Sequence, residues 1–320
     1  MTAEAMQEAV SVLQGAETIA VSCHVGPDGD ALGSALAFAH AARKAGKQAV
    51  ASFGRPFEVP EMYRFLDLEP LVPTGEFPAE PEVMVVFDLG VGYRLGDLAE
   101  NASRAGTLIV VDHHPNPDEG FGHIQIIDTT AGAAAQLCAY LIRDLGWPLD
   151  ETVARCLLTG IVTDTGRYQY SSTDGRIMRL AADLLDTGVH PEMIGQEVYE
   201  SVPFGYLAVS SAVLGRAVLD EGLGLIWSVV YRADLEKAGI ESADLDPLID
   251  DLRIAREAGV AVLIKEIDGG FKASMRSRGG VDVGVIAAAE GGGGHHNAAG
   301  FTTADEPDVA IERIRAKLRG

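Results

Sequence analysis

The chain has 320 residues, 47% of them apolar, with 47 acidic against 25 basic side chains and a formal net charge of −22 at pH 7. That length allows two domains and a substantial core, and so acidic a composition argues against long duplex DNA or RNA, which needs a broad basic face. A short nucleotide or a few bases of single strand, held in a local pocket, stays compatible with it. The three cysteines, Cys23, Cys138 and Cys156, lie in apolar periodic segments without framework spacing and read as reduced and buried. The acidic N-terminus lacks a signal-peptide pattern, and no apolar stretch approaches the roughly 20 residues that span a bilayer. The expectation is a soluble cytoplasmic protein with no membrane partner.

Up to about residue 130, short apolar strands alternate with helical patterns. Strands are expected at 18–23, 48–53, 83–87, 107–111 and 123–127, and helices at 30–46 and 93–104. Such alternation predicts a mostly parallel sheet covered by helices. From 131 to about 200 the pattern is helical, at 131–145, 150–163, 174–187 and 191–200, with stops at Gly146-Trp147-Pro148 and Gly188-Val189-His190-Pro191. After a connector near 201–205 the chain restarts with a helix (206–219), a strand (223–231) and a helix (243–257). A hairpin of strands 259–267 and 271–277 follows, turning at Asp268-Gly269-Gly270, then helices at about 281–289 and 306–318. The predicted fold class is α/β: a first domain over 1–195, a linker over 196–205 and a smaller second α/β domain over 206–320. Gly291–Gly294 is the one low-complexity patch, and there is no internal repeat.

Three of the expected strands end in ligand-type residues. The first runs into His24-Val-Gly-Pro-Asp28-Gly-Asp30, the third into Asp88, and the fourth into Asp112-His113-His114. In an open α/β sheet, ligands sit beyond the carboxyl ends of the parallel strands. One such Asp is an ordinary helix cap. Three ends delivering carboxylates and imidazoles to one edge are costly to bury unless a cation lies among them. Asp164, in Gly160-Ile-Val-Thr-Asp164-Thr-Gly166 at the end of an apolar helix, either caps locally or adds a ligand. Four carboxylates and at least two imidazoles exceed one tetrahedral zinc site. An oxygen-rich set without cysteine favours two Mn²⁺ or Mg²⁺ ions, with Co²⁺ also compatible, bridged by one carboxylate and a water. Such a pair serves in-line attack on phosphorus.

The blocks His24-x-x-x-Asp28-x-Asp30, Asp88, Asp112-His113-His114 and Asp164-Thr-Gly resemble the DHH phosphoesterase superfamily. The segment Gly291-Gly-Gly-Gly-His295-His-Asn-Ala-Ala-Gly300 resembles the signature of its DHH-associated domain. The likeness spans about 18–302, and length and layout look most like the nanoRNase/pAp phosphatase branch. That branch degrades very short oligoribonucleotides and 3′-phosphoadenosine 5′-phosphate (pAp), and some members hydrolyse cyclic dinucleotides such as c-di-AMP or their linear products such as pApA. The resemblance implies one ion held by His24, Asp28 and Asp88. It implies a second held by Asp30, Asp88, His113 and Asp164, with Asp88 bridging. Asp112 would orient an imidazole and His114 would face the substrate phosphate, which makes His114, Asp112 and Asp88 the expected catalytic group. Arg94 also fits the pattern. Leu89-Gly90-Val91-Gly92 is less polar than the family context, so no further acid or base is expected from that loop. Homodimerisation through first-domain helices is implied as well.

In the second domain, the glycines at 291–294 read as flexible backbone able to approach an anion closely and offer it N–H groups. Alone they would read as a hinge, but the His-His-Asn-Ala-Ala-Gly that follows is too specific for a linker. The expected substrate contacts are Arg276, Ser277, Gly293, Gly294, His295 and His296, with Arg276 suited to bidentate phosphate binding. Arg276 on an exposed edge strand is the plainer alternative. Tyr168 and Tyr170 are candidates for stacking on a base, or core residues. The expected geometry is an active-site cleft between the domains, the nucleotide on the second and its scissile phosphate at the ions of the first. The expected reaction is metal-dependent hydrolysis of short single-stranded RNA to mononucleotides, and of pAp to AMP and phosphate. The alternatives are an inorganic pyrophosphatase or exopolyphosphatase built on the same first domain, and a nucleotide sensor without turnover.

Overall fold

Five apolar segments form one parallel sheet: β1 (Thr18–Cys23), β2 (Gln48–Phe53), β3 (Val83–Phe87), β4 (Thr107–Asp112) and β5 (Ile124–Ile127), in the order β2-β1-β3-β4-β5. The computed structural model describes residues 3–114, 121–245 and 247–319. Val83-Met-Val-Val-Phe87 shows no polar alternation because both faces of β3 are buried. The helices of this part are α1 (Ala3–Gly15), α2 (Gly29–Lys44), α3 (Ala99–Ser103), α4 (Ala134–Leu145), α5 (Glu151–Asp164), α6 (Gly175–Leu185) and α7 (Pro191–Tyr199). One face of the sheet packs in a single core with α1, α2 and α4 to α7. The other is covered by Leu95, Leu98 and Ala102, from a short 3-10 turn and α3.

Register puts the strand ends in line. Cys23 pairs with Phe87 and Phe87 with Val111, so His24, Asp88 and Asp112 follow at one level along the carboxyl edge. Behind that edge α2 and α5 cross with almost no space between them. A Cβ added at Gly33 would fall 2.4 Å from the Cys156 carbonyl oxygen, and one at Gly160 would fall 2.8 Å from Asp30 Oδ1.

The chain divides into two units, Met1–Glu200 and Ser201–Gly320. The second contains α8 (Phe204–Gly215), β6 (Val218–Asp220), β7 (Leu225–Val230), α9 (Arg232–Ala238), α10 (Leu248–Arg253), β8 (Val260–Ile267), β9 (Gly270–Ser277), α11 (Val283–Ala288), β10 (Gly293–His295), β11 (Ala298–Thr303) and α12 (Pro307–Leu318). Its sheet runs β10-β11-β9-β8-β7-β6, antiparallel except for β7 against β8. One face packs on α11 and α12, the other on α8 and α10. None of the described helices is long and apolar enough to cross a membrane.

Several expectations are corrected. Helix α1 falls in a stretch given no element, where Met6, Ala9 and Leu13 form its buried stripe. Helix α7 runs to Tyr199, as the expected helix over 191–200 had it, and α8 starts at Phe204, so residues 200–203 are the part of 196–205 outside a helix. The helix expected to 219 stops at Gly215, and Val218–Asp220 pairs with β7 as an edge strand. The expected helix 243–257 is a 3-10 turn over Ser242–Leu245 followed by α10. The glycine-rich patch is not a flexible loop. It leads into β10, whose Gly294 lies so close to β11 that a Cβ there would meet the Ala298 carbonyl oxygen at 2.5 Å.

Overpacking a well-fitted interior costs about 1–3 kcal/mol. Gly33→Ala is therefore expected to lower unfolding stability by about that amount in a denaturant titration; an unchanged midpoint would show that the α2–α5 crossing has slack.

Candidate metal centre

The site assembles around Asp88, the residue after β3. Its backbone is left-handed, with φ 61°, a conformation that costs a non-glycine residue of order 1–3 kcal/mol and clusters at functional sites. The turn is held at both ends, since Asp88 N donates to Val111 O at 3.0 Å and Arg94 Nη1 donates to Asp88 O at 3.4 Å. The carboxylate then lies among three imidazoles. Oδ2 is 3.4 Å from His24 Nε2, and Oδ1 is 3.4 Å from His113 Nε2 and 3.5 Å from His114 Nδ1.

Each imidazole is oriented by its other nitrogen or by a neighbouring carboxylate. His24 Nδ1 faces the Val25 carbonyl at 3.0 Å, and His113 Nδ1 faces the Ala131 carbonyl at 3.2 Å. A carbonyl only accepts, so Nδ1 carries the proton in both and Nε2 is the atom presented to the carboxylates. Asp112, fully buried at the end of β4, accepts from His114 Nδ1 at 2.7 Å and from His113 N at 2.9 Å.

Three more carboxylates close the site. Asp28 caps α2, its Oδ1 accepting from Asp30 N and Ala31 N, with Oδ2 3.9 Å from His24 Nε2. Asp30 accepts from Ala134 N at 2.5 Å and Ala135 N at 2.8 Å. Both Asp30 and Asp164, the last residue of α5, approach His113 Nε2, at 3.8 and 3.4 Å.

Three clusters result, each with ligand atoms within 4.8 Å of one another: His24/Asp28/Asp88, Asp30/His113/Asp164, and Asp88/His113/His114. Asp88 and His113 are shared between clusters, so the three are continuous. The residues fit a cation. His24 Nε2 and Asp88 Oδ1 are buried and make no hydrogen bond among the described residues, an expensive condition for two polar atoms that face each other's neighbours. The donors are oxygens and imidazoles, which suits hard or borderline divalent ions. Cys23 precedes His24, and burial and then the Asp28 and Asp88 carboxylates push its thiol well up; its sulfur is in none of the three clusters.

Without a cation the carboxylates compete for protons. Burial, then the Asp88 charge, pushes Asp30 up to about 8, against the pull of the Ala135 amide. Asp164 is raised by burial too, relieved in part by His113. Asp88 goes the other way: burial opposes its charge, but the His113 and His24 imidazoles beside it, with His114, hold it well below the usual carboxylate range. His113 is pushed up to about 11, since its carboxylate neighbours outweigh its burial.

Elsewhere the expected contacts fare differently. Arg276 lies on β9 opposite Ala298 of β11, which in turn pairs with His295 of β10, so register sets the three in one row across the sheet. Arg276 Nη1 donates to the Met275 carbonyl, and no carboxylate among the described residues pairs with it. The His295 side chain lies outside the described part. Gly293 and Gly294 pair with Gly300 and Ala299 as strand residues. Ser277 is a correction: it is 2% exposed and its Oγ accepts from Gly279 N and Val281 N, stapling a turn instead of facing outward. His296 braces the same turn through Gly279 O and Asp282. Tyr168 packs against the core of the first unit.

Sequence reading missed the groups that hold the ligands. Helix α4 starts at Gly132-Ala133-Ala134-Ala135, with no side-chain cap of its own. Asp30, more than a hundred residues earlier, supplies the missing acceptor. An uncapped helix start after an apolar strand was the available signal.

Protonation gives a testable consequence. Folded Asp30 keeps its proton up to about 8 and folded His113 up to about 11, whereas the unfolded chain releases them near pH 4 and 6.5. Between pH 6.5 and 8 the folded state therefore binds more protons, so its stability falls as pH rises. The low-lying Asp88 acts in the opposite sense only in acid. Chelator-treated protein is expected to melt at progressively lower temperature from pH 6 to 8.5, and Mn²⁺ to remove most of that slope. A flat profile for the chelated protein would contradict this charge balance.

Comparison with known proteins places the chain in a family. Residues 18–161 match the DHH family, N-terminal domain, and residues 224–320 match the DHHA1 domain. The chain is 33% identical over 323 residues to the bifunctional oligoribonuclease and PAP phosphatase NrnA of Thermus thermophilus, covering 99% of this chain and 94% of that protein. In fold it is similar to an exopolyphosphatase-related protein from Bacteroides fragilis, with a TM-score of 0.92 at 22% identity over 99% of this chain and 96% of that one. It is also similar to RecJ from Thermus thermophilus in complex with Mn²⁺, with a TM-score of 0.58 at 16% identity, covering 100% of this chain and 55% of that chain. With a near full-length relative at 33% identity and both domains matched in order, the chain belongs to the DHH phosphoesterase family, in the branch that joins a DHH domain to a DHHA1 domain.

Proposed function

We propose that this protein is a metal-dependent phosphoesterase that hydrolyses short oligoribonucleotides to mononucleotides and pAp to AMP and phosphate. The observation that carries the reading is the continuity of the three ligand clusters through Asp88 and His113. The relationship to a protein named as oligoribonuclease and PAP phosphatase over nearly the whole length supports the substrate class. His24, Asp28 and Asp88 would hold one ion, and Asp30, Asp88, His113 and Asp164 a second, with Mn²⁺ favoured by an oxygen-rich set lacking thiolate. Ions held there supply Lewis acidity toward a phosphoryl oxygen and an acidified water as nucleophile.

The remaining roles belong to side chains. Asp112 engages His114 Nδ1 at 2.7 Å, which makes Nε2 the proposed donor to the phosphoryl oxygen and lets Asp112 steady the imidazolium. Arg276, with a planar guanidinium and no carboxylate partner among the described residues, is the proposed grip on a second phosphate. A net charge of −22 makes long duplexes poor substrates and leaves recognition to such local groups.

The test is a product profile with Mn²⁺ on pAp, pApA, a five-base RNA, c-di-AMP and pyrophosphate. AMP from pAp and mononucleotides from pApA are expected; rapid turnover of pyrophosphate alone would favour the pyrophosphatase reading. Asp88→Ala is expected to lose at least about 1,000-fold in turnover while keeping its circular dichroism spectrum, because it removes the shared ligand. Mn²⁺-dependent activity in that variant would overturn the assignment. Arg276→Ala is expected to raise KM for pAp about 10- to 100-fold, the worth of a charge-assisted hydrogen bond of about 1.5–3 kcal/mol, with a smaller change in kcat. An unchanged KM would remove Arg276 from the binding site.

A further inference from the structure

Two of the ligands are held by backbone groups, with Ser34 Oγ adding a bond to Asp30 Oδ1 at 3.3 Å. The Ala131 carbonyl fixes His113 Nδ1, and the Ala134 and Ala135 amides fix Asp30. These three backbone groups belong to one short stretch that leads from the edge strand β5 into the first turn of helix α4. A surface arginine bonds the residue just before that stretch. Arg176 Nη2 donates to the Thr130 carbonyl at 2.7 Å and to Thr130 Oγ1 at 3.2 Å. Its Nε donates to Asp174 Oδ2 at 2.7 Å, and Nη1 lies 3.9 Å from Asp128 Oδ2. Asp174 is in turn anchored as the cap of α6, accepting from Arg176 N and Ile177 N.

The loop is also folded on itself and fitted against α6. Asp128 Oδ1 accepts from Thr130 N at 3.0 Å and Thr130 Oγ1 at 2.6 Å, and Ala131 N donates to Asp128 O at 3.0 Å. Asp128 N donates to Asp112 O, which ties the loop to the strand that leads into His113 and His114. A Cβ at Gly132 would fall 3.0 Å from both Ile177 Cγ1 and Ser172 O, so the loop has no room to approach α6 more closely. The clamp and the close fit are independent observations, and both fix the same backbone.

We propose that Arg176 is a positioning residue for the metal centre: it pins the loop over residues 128–132 to the start of α6, and through that loop sets the orientation of His113 and Asp30. The inference rests on the metal-dependent reading above. Half-exposed ion pairs contribute little to folding, and Arg176 keeps 40% of its side chain exposed. Its removal therefore acts on ligand placement more than on stability. Groups that orient metal ligands typically govern 10- to 100-fold in metal affinity.

The test uses the full-length protein, stripped with chelator and titrated with Mn²⁺ by calorimetry. Arg176→Ala is expected to weaken at least one class of Mn²⁺ site about 10-fold, with the melting temperature of the stripped protein nearly unchanged. Arg176→Lys is expected to recover part of the loss through the Thr130 carbonyl. Gly132→Ala, which leaves every charge in place, is expected to weaken Mn²⁺ binding by displacing the same backbone. Unchanged Mn²⁺ affinity in Arg176→Ala would overturn the proposal whatever Gly132→Ala shows, as would a raised KM for pAp with normal Mn²⁺ affinity, which would make Arg176 a substrate contact. Asp88→Ala separates the two readings. If it abolishes Mn²⁺ binding while Arg176→Ala does not, only the clamp fails; if neither affects Mn²⁺ binding, the metal reading fails with it.

Discussion

The Asp88 carboxylate lies within 3.5 Å of three imidazoles, and two other carboxylates approach the same His113 nitrogen, Nε2, that Asp88 faces. Nearly all of this charge is withdrawn from water, where unpaired ions are most costly. Protons alone settle it badly: Asp30 and Asp164 must stay neutral while Asp88 stays ionised, a few ångströms apart. Divalent cations satisfy all of these groups together. The left-handed backbone at Asp88 is consistent with that need, since an extended residue there would continue the strand and aim its carboxylate elsewhere.

The scaffold follows from the same demand. A parallel sheet delivers several strand ends to one edge without exposing its apolar interior. Helix α2 must begin close enough to the edge for Asp28 and Asp30 to reach it, and α5 must end there to supply Asp164. Both helices fit only because Gly33 and Gly160 remove the side chains that would hold them apart. At Gly160 the space released is taken by the Asp30 carboxylate itself. Asp30 thereby serves two purposes, as a candidate ligand and as the cap that α4 lacks.

The strand ends were legible in the sequence because an unbroken apolar run stopping at Asp or His is a local pattern with one physical reading. What stayed hidden is non-local. Ala131, Ala134 and Ala135 contribute only backbone atoms, which any residue would supply, so composition carries no trace of them. The bond from Asp30 to α4 spans 104 residues, beyond any periodicity. In the second unit, Gly293 and Gly294 read as mobile because glycine usually confers freedom. Here the close approach of Gly294 to β11 calls for the missing side chain, and both residues pair within an edge strand. Ser277 misled for the opposite reason: a hydroxyl beside two arginines suggests a ligand, yet its oxygen is occupied by the turn that follows.

The most direct measurement is anomalous diffraction at the manganese edge from crystals grown with MnCl₂. The account predicts two peaks about 3.5–4 Å apart, with the Asp88 carboxylate between them and His24 and His113 on opposite sides. A single peak remote from Asp88, or imidazoles and carboxylates paired with one another at saturating manganese, would contradict it.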